Sequence, residues 1–195
     1  MSESVSWALD TCSDLQAISQ DLMIKHPKIR ARWAPSDSAE TKINVDGAFD
    51  EDSHSGATGV VWRDNQGKFL RAPAVWYESA ANSLSLEALA IRDGVLLATD
   101  RAITNVHVET DSQEIVKLWE GNNFERSFIG GILCEIKELA SLFTNFKLSF
   151  RGRDANVAAH LCAKRASESR RRCLWLNYTP PFLADVLMQD CNHAS

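Results

Sequence analysis

Apolar and polar positions change their period along this chain of 195 residues. Between residues 5 and 24 the apolar side chains recur at a spacing that predicts a helix. Prolines and a polar run then interrupt the pattern as far as residue 40, and this composition indicates a linker. We therefore expect residues 1–40 to be a helical extension with its linker, and a folded domain to begin near Thr41.

The first elements predicted for this domain are β-strands. Residues 42–46 alternate between apolar and polar side chains, and residues 59–70 predict a β-hairpin whose turn contains Gly67. Helical spacing recurs over 84–98, 111–120, 129–143 and 157–166, and short alternating runs predict strands over 105–109 and 146–150. This order predicts an α/β domain, a five-stranded mixed sheet flanked by helices. We place the domain at 41–170 and treat 171–195 as a C-terminal tail.

Composition narrows the class of protein. Hydrophobic residues make up 45% of the chain and charged residues 24%, as in ordinary globular proteins. No apolar run approaches the roughly 18 residues that span a bilayer, and the N-terminus lacks a secretory signal pattern. The five cysteines form no Cys-x-x-Cys pair, which argues against a disulfide framework or structural zinc. We therefore expect an intracellular protein of the cytoplasm or nucleus that is neither secreted nor associated with a membrane. We also expect a monomer without a small-molecule cofactor.

Charge is distributed unevenly along the chain. The net charge of −5 argues against a protein that coats nucleic acid nonspecifically. Residues 151–172 nevertheless carry seven basic and two acidic side chains, a local net charge of +5. Such a cluster is either a solvated helix face or a contact for nucleic-acid phosphates.

Three carboxylates occupy positions that deserve a chemical explanation. Asp46 lies in an apolar strand, where a carboxylate is costly unless it is paired, hydrogen-bonded or bound to metal; an exposed edge strand is the alternative. Glu87 shares a helical row with apolar residues and should point towards the sheet, or else extend its head into water. Asp111 ends a strand and starts a helix, where capping together with Glu114 is the alternative.

The order of these carboxylates favours a shared site. A strand Asp, two further strands, a helix Glu and a strand-end Asp can converge at one end of the sheet, where open α/β sheets bind ligands. Carboxylates held together repel one another and call for divalent cations. Their oxygen atoms suit Mg²⁺ or Mn²⁺.

Four motifs in this order resemble those of ribonuclease H. They are Asn44-Val-Asp-Gly-Ala48, Leu86-Glu-Ala-Leu-Ala90, Glu109-Thr-Asp-Ser-Gln113 and Arg153-Asp-Ala-Asn-Val-Ala-Ala-His160. Each motif alone is unspecific, but their order and spacing together are a strong signal. The chain is most similar to the ribonuclease H-like domains of retroelement origin that are common in plants, and the resemblance covers residues 42–166. It implies a ribonuclease H-like fold.

The resemblance also implies an activity: metal-dependent endonucleolytic hydrolysis of the RNA strand of an RNA–DNA hybrid. Asp46, Glu87, Asp111 and His160 would be catalytic and would bind two ions of Mg²⁺ or Mn²⁺, one activating water and the other stabilising the leaving 3′-oxygen. A second group of residues is implied to bind the substrate, in part through the 2′-hydroxyls of the RNA. Its members are Gly47, Ser112, Gln113, Asn156, Arg151 and Arg153.

Residue 160 departs from the best-known ribonucleases H, which carry an aspartate there. Asn156 and His160 share a helix face, so the imidazole either replaces the carboxylate as a metal ligand or caps the site without metal. Asp154 is the second candidate for a fourth ligand. The loss of one negative charge predicts higher activity in Mn²⁺ than in Mg²⁺. The basic cluster at 151–172 is expected to supply the substrate affinity that a handle helix gives to some bacterial relatives.

Other functions on the same fold are weighed against this one. A catalytically silent nucleic-acid-binding module of retroelement origin is the main alternative, because catalysis depends on few residues and the fold on many. A 3′–5′ exonuclease would carry an acidic residue where Ala48 stands. An integrase would bring its catalytic glutamate from a late helix, so both of these nucleases are disfavoured.

Overall fold

The computed structural model describes residues 33–36, 39–99, 103–121 and 124–191. The helix predicted over residues 5–24 lies outside these ranges, as does the first part of the linker. The extension therefore stays a prediction.

Six β-strands form one mixed sheet. They are β1 (Thr41–Asp50), β2 (Ser55–Arg63), β3 (Phe69–Tyr77), β4 (Asn105–Thr110), β5 (Asn145–Phe150) and β6 (Cys173–Leu176). Their order across the sheet is β5-β4-β1-β2-β3-β6. β1 pairs in parallel with β4 and antiparallel with β2, so the sheet is mixed as predicted. The expected count of five strands is one too low, because β6 lies within the segment treated as a tail.

Five α-helices within the described ranges flank the sheet. They are α1 (Ser83–Thr99), α2 (Gln113–Gly121), α3 (Gly130–Ala140), α4 (Val157–Ser169) and α5 (Pro181–Cys191). The first three pack on one face of the sheet, and α4 and α5 pack on the other. None of these helices has both the length and the apolar content that crossing a membrane requires.

Alternation along the strands divides the core between the two faces. Val60 and Trp62 point towards α1, whereas Ala57 and Val61 on the same strand point towards α4 and α5. The face towards α4 is lined by small side chains. A Cβ atom on Gly59 would collide with the backbone of α4, so glycine at this position allows the helix to lie directly on β2.

Buried charged side chains connect the end of α5 to the middle of the sheet. The Arg63 guanidinium is fully buried and donates hydrogen bonds to Asp190 Oδ2 (2.7 Å) and Asn44 Oδ1 (3.3 Å). Its central carbon lies 3.8 Å from the ring centre of Trp33. Trp33, which precedes the predicted strands in the chain, and Asp190, which follows them, are thus both part of the core.

Glu109 continues this buried network on β4. Its carboxylate accepts hydrogen bonds from Lys42 Nζ (3.1 Å), Asn44 Nδ2 (3.1 Å) and Arg151 Nε (2.8 Å). Burial acts to raise the pKa of Glu109, but the charges of Lys42 and Arg151 outweigh it and hold the pKa below its usual value. This carboxylate is therefore fully compensated by protein groups.

The ion pair between Arg63 and Asp190 makes α5 part of the folded core. We expect Asp190→Ala to lower the free energy of unfolding by about 3 kcal/mol, because the buried guanidinium loses a charged partner. Asp185→Ala, at an exposed position of the same helix, should change it by less than about 0.5 kcal/mol. Urea denaturation of the two variants makes the comparison. Equal, small losses would show that the ion pair between Arg63 and Asp190 does not stabilise the domain.

Candidate metal centre

Asp46 lies on the central strand of the sheet and is only 4% exposed. The edge-strand explanation for this residue is therefore wrong. Parallel pairing of Val45 with Thr110 brings the next residue of each strand, Asp46 and Asp111, side by side. The register of the sheet thus creates the first half of the site.

The start of α1 places Glu87 beside them. Asn82 and Ser85 cap the helix reciprocally: the Ser85 N–H donates to Asn82 Oδ1 (2.8 Å) and the Asn82 N–H to Ser85 Oγ (3.1 Å). A Cβ atom on Gly47 would lie 2.7 Å from the Glu87 backbone nitrogen, so only glycine lets this helix lie against β1 so closely. The capped first turn then directs Glu87 towards Asp46 and Asp111.

Asp111 is not the cap of α2. The helix begins at Gln113, and the Ser112 hydroxyl accepts the Ile115 N–H at 3.4 Å. Capping by Asp111 with Glu114 therefore does not explain the residue. Its carboxylate is paired instead with Arg153, whose Nε lies 3.2 Å from Asp111 Oδ2.

Asp46, Glu87 and Asp111 form a group that can hold a metal ion. One carboxylate oxygen of each lies within 4.8 Å of the others, at a cavity of about 340 Å³. Glu87 Oε2 and Asn156 Oδ1 are buried there, and neither has a hydrogen-bond partner in the described part of the chain. An all-oxygen donor set with uncompensated buried atoms fits a hard divalent cation such as Mg²⁺ or Mn²⁺.

The electrostatics of the group support the same interpretation. Burial, and then the charges of Asp46 and Asp111, raise the pKa of Glu87 from its usual 4.5 to about 9. Burial and the charge of Asp46 also raise the pKa of Asp111, although Arg153 opposes the rise. Both shifts arise first from burial and then from the negative charge of the neighbouring carboxylates.

His160 contacts Asp46 rather than joining the three carboxylates. Its Nδ1 lies 3.0 Å from Asp46 Oδ2, and its side chain is largely exposed. The hydrogen bond to Asp46 raises the pKa of His160, while burial acts in the opposite direction. Asp154, the second candidate for a fourth ligand, is exposed and lines the same cavity. The choice between these two ligands stays a prediction.

The substrate-binding candidates fall into two sets. Gly47, Arg153 and Asn156 line the cavity. Arg153 is 93% exposed at its mouth, whereas Asn156 is buried and donates from Nδ2 to the Val45 carbonyl (2.8 Å). The remaining candidates lie beside the cavity rather than in its wall: Ser112 caps α2, Gln113 is exposed in its first turn, and Arg151 binds Glu109.

Sequence reasoning missed the buried residues that support the site. Asn44 and Glu109 each stand two positions before a site aspartate, so they share a strand face with Asp46 and Asp111 respectively. Their mutual hydrogen bond ties the two aspartate-bearing strands together. A polar residue at this offset in both motifs was the available signal.

Comparison with known proteins supports the architecture. A family profile described as reverse transcriptase-like matches residues 44–166, more than half of the chain. No curated protein sequence matches at a significant level.

Solved structures show the fold. The N-terminal ribonuclease H domain of a Mycobacterium tuberculosis protein is 19% identical, with a TM-score of 0.62 over 68% of this chain and 96% of that one. Ribonuclease H1 from Halobacterium salinarum is 20% identical, with a TM-score of 0.61 over 65% and 96%. A ribonuclease H1 isolated from compost, solved in complex with an RNA/DNA hybrid, is 17% identical with a TM-score of 0.59 over 67% and 98%. At these identities the likeness establishes a ribonuclease H fold.

Replacing the Glu87 carboxylate by an amide should make the metal-free protein more stable and should weaken its binding of metal. Because its pKa is raised, the metal-free protein loses stability as the pH rises from about 4.5 to about 9. We expect Glu87→Gln to raise the Tm of metal-free protein at pH 8 by about 3 °C. The same variant should lose the rise in Tm that Mg²⁺ gives the wild type.

Differential scanning fluorimetry with and without Mg²⁺ measures both effects. Glu114→Gln, which removes an exposed carboxylate from α2, is the control and should behave as the wild type. A metal-free Tm that does not change, together with full Mg²⁺ stabilisation of Glu87→Gln, would exclude Glu87 from the metal centre.

Proposed function

This chain belongs to the reverse transcriptase-like family, and from that premise we propose that it is a metal-dependent endonuclease that hydrolyses the RNA strand of RNA–DNA hybrids. The convergence of Asp46, Glu87 and Asp111, where β4 ends beside the middle of β1, carries the proposal. The hybrid bound by the ribonuclease H1 from compost supports the choice of substrate. Monomeric state and intracellular location stay predictions.

Different residues of the candidate metal centre would bind the metal ions and the substrate. Two divalent ions, when bound, would supply an activated water and stabilise the leaving 3′-oxygen. Asp46, Glu87 and Asp111 would hold them, and binding would offset the burial and the repulsion that raise the pKa of Glu87. Arg153, exposed at the mouth, would exchange its contact with Asp111 for a substrate phosphate.

His160 and Asn156 would position Asp46 and its strand. Asn156 donates to the carbonyl of Val45, the residue before Asp46, and so would fix the middle of β1 against the start of α4. His160 holds one oxygen of Asp46 and leaves the other for a cation. Because the site has one carboxylate fewer than the best-known ribonucleases H, its lower negative charge would favour Mn²⁺ over Mg²⁺.

A catalytically silent nucleic-acid-binding module is the second candidate. The contacts of His160 with Asp46 and of Arg153 with Asp111 favour it, because each gives a carboxylate of the site a basic partner within the protein. If these contacts persist in the presence of Mg²⁺, they would compete with metal for the same oxygens.

Cleavage of a hybrid labelled separately on each strand tests the proposal. We expect cuts in the RNA strand alone, with a rate reduced by more than about a hundredfold in Asp46→Asn, because a metal ligand is lost. Asp185→Asn, an equivalent change at an exposed position on α5, should cut at the wild-type rate. A folded protein that cuts neither strand in Mg²⁺ or Mn²⁺ would favour the silent module.

The metal preference provides an independent prediction. We expect the wild-type rate to be about tenfold higher in Mn²⁺ than in Mg²⁺, and His160→Asp to raise the Mg²⁺ rate, because a fourth carboxylate suits the harder ion. Initial rates at saturating concentrations of each metal give the ratio. Equal rates in the two metals, unchanged by His160→Asp, would refute a metal-related role of His160.

A further inference from the structure

Three arginines, residues 170–172, precede β6, the edge strand next to β3. They lie at the same end of the sheet as the three carboxylates. Asp46 on β1 pairs with Gly59, Gly59 with Ala74 on β3, and Ala74 with Cys173 on β6. Three strand spacings separate the ends of this row, a distance of about 14 Å. Residues 170–172, which lead into β6, are therefore within reach of a nucleic-acid strand bound at the carboxylates.

α4 connects the two places. It begins beside the carboxylate cavity, packs across β1, β2 and β3, and ends at Ser169. Lys164 lies one turn beyond His160, and Arg165 follows it; both side chains are more than half exposed. Positive charge thus continues along the helix from the carboxylates to its far end.

A cavity of about 600 Å³ opens between the end of α4, β6 and the start of α5, and we call it the β6 groove. Its lining includes three basic and three aromatic side chains: Arg165, Arg171, Arg172, Trp175, Tyr178 and Phe182. Trp175 and Phe182 pack edge to face, with ring centres 5.1 Å apart. Tyr178 is 61% exposed, so its ring offers a free face.

The basic side chains of the β6 groove exceed the acidic charge around them. Glu168 is the one carboxylate in the lining, and it lies 3.8 Å from Arg165 and 4.0 Å from Lys164. Arg171 and Arg172 form no ion pair with any residue in the described ranges. Since the whole chain has a net charge of −5, this groove is a local exception and suits an anionic ligand.

We propose that the β6 groove binds a single-stranded segment of nucleic acid that continues from a hybrid held at the carboxylates. This inference rests on the proposed function. Arg171 and Arg172 would contact phosphates, and Tyr178 would stack on an unpaired base. A duplex keeps its base faces stacked inside, so an exposed aromatic ring beside arginines favours a single strand over more duplex.

Hybrids that share one duplex but differ in their ends provide the test. One hybrid is blunt. Each of the other four carries a single unpaired tail of about eight nucleotides, at the 5′ or 3′ end of the RNA or of the DNA strand. We expect at least one tail to lower KM about tenfold with kcat unchanged, the gain typical of one stacked base. The double variant Arg171→Glu/Arg172→Glu should lose this gain, which is measured as the ratio of the KM values for the blunt and the tailed hybrid.

Matched variants separate groove contacts from general charge. Lys68→Glu/Lys147→Glu makes the same change of charge at two exposed positions near the opposite end of the sheet, and it should keep the gain. Tyr178→Ala should lose most of the gain, and Tyr178→Phe, which keeps an aromatic ring, should retain it. If no tail lowers KM, or if the groove variants keep the full gain, the groove does not bind nucleic acid and another kind of partner must be sought.

The groove can also be tested if the chain cleaves no hybrid. Fluorescence anisotropy then measures the Kd of a labelled single strand of about twelve nucleotides. About tenfold weaker binding by the arginine double variant, with the slope of log Kd against log salt reduced by about 1.4, would support the groove without the nuclease. Equal binding by the wild type and this variant would overturn the inference whether or not the chain is a nuclease.

Discussion

Repulsion among three carboxylates is the constraint on which the organisation of this domain depends. Asp46, Glu87 and Asp111 come from two strands and a helix, yet an oxygen of each lies within 4.8 Å of the others. Holding them together without a cation costs stability, because burial and then their mutual repulsion raise the pKa of Glu87. The rest of the fold must therefore hold this end of the sheet rigid.

Glu109 and Glu87 are two carboxylates in different surroundings, one beside the candidate metal centre and the other within it. Glu109 is fully buried, but Lys42, Asn44 and Arg151 satisfy it, and its pKa is lowered. Glu87 is partly buried with one oxygen unpartnered, and its pKa is raised. The first group strengthens the contact between β1 and β4, whereas the second is left available for a ligand. Buried acids of opposite pKa shift thus distinguish structural support from a candidate metal ligand.

Much of this arrangement could be predicted from the sequence. Alternating strands, helical periods and the order of the acidic motifs predicted a mixed α/β sheet, and they singled out the three carboxylates that the structure brings together. β6 was missed because four residues are too short for a clear alternation, and its pairing with β3 depends on tertiary contacts. The ion pair between Arg63 and Asp190 joins residues 127 positions apart, a separation that local patterns do not reveal.

Anomalous diffraction tests most directly whether the three carboxylates are a metal centre that acts on a hybrid. Crystals would be grown with Mn²⁺ and a hybrid whose RNA strand resists cleavage. The account predicts Mn²⁺ peaks bounded by Asp46, Glu87 and Asp111, with a phosphate of the RNA strand beside them and Arg153 turned away from Asp111. Absence of Mn²⁺ from the cavity, with His160 still bound to Asp46 and Arg153 to Asp111, would contradict it.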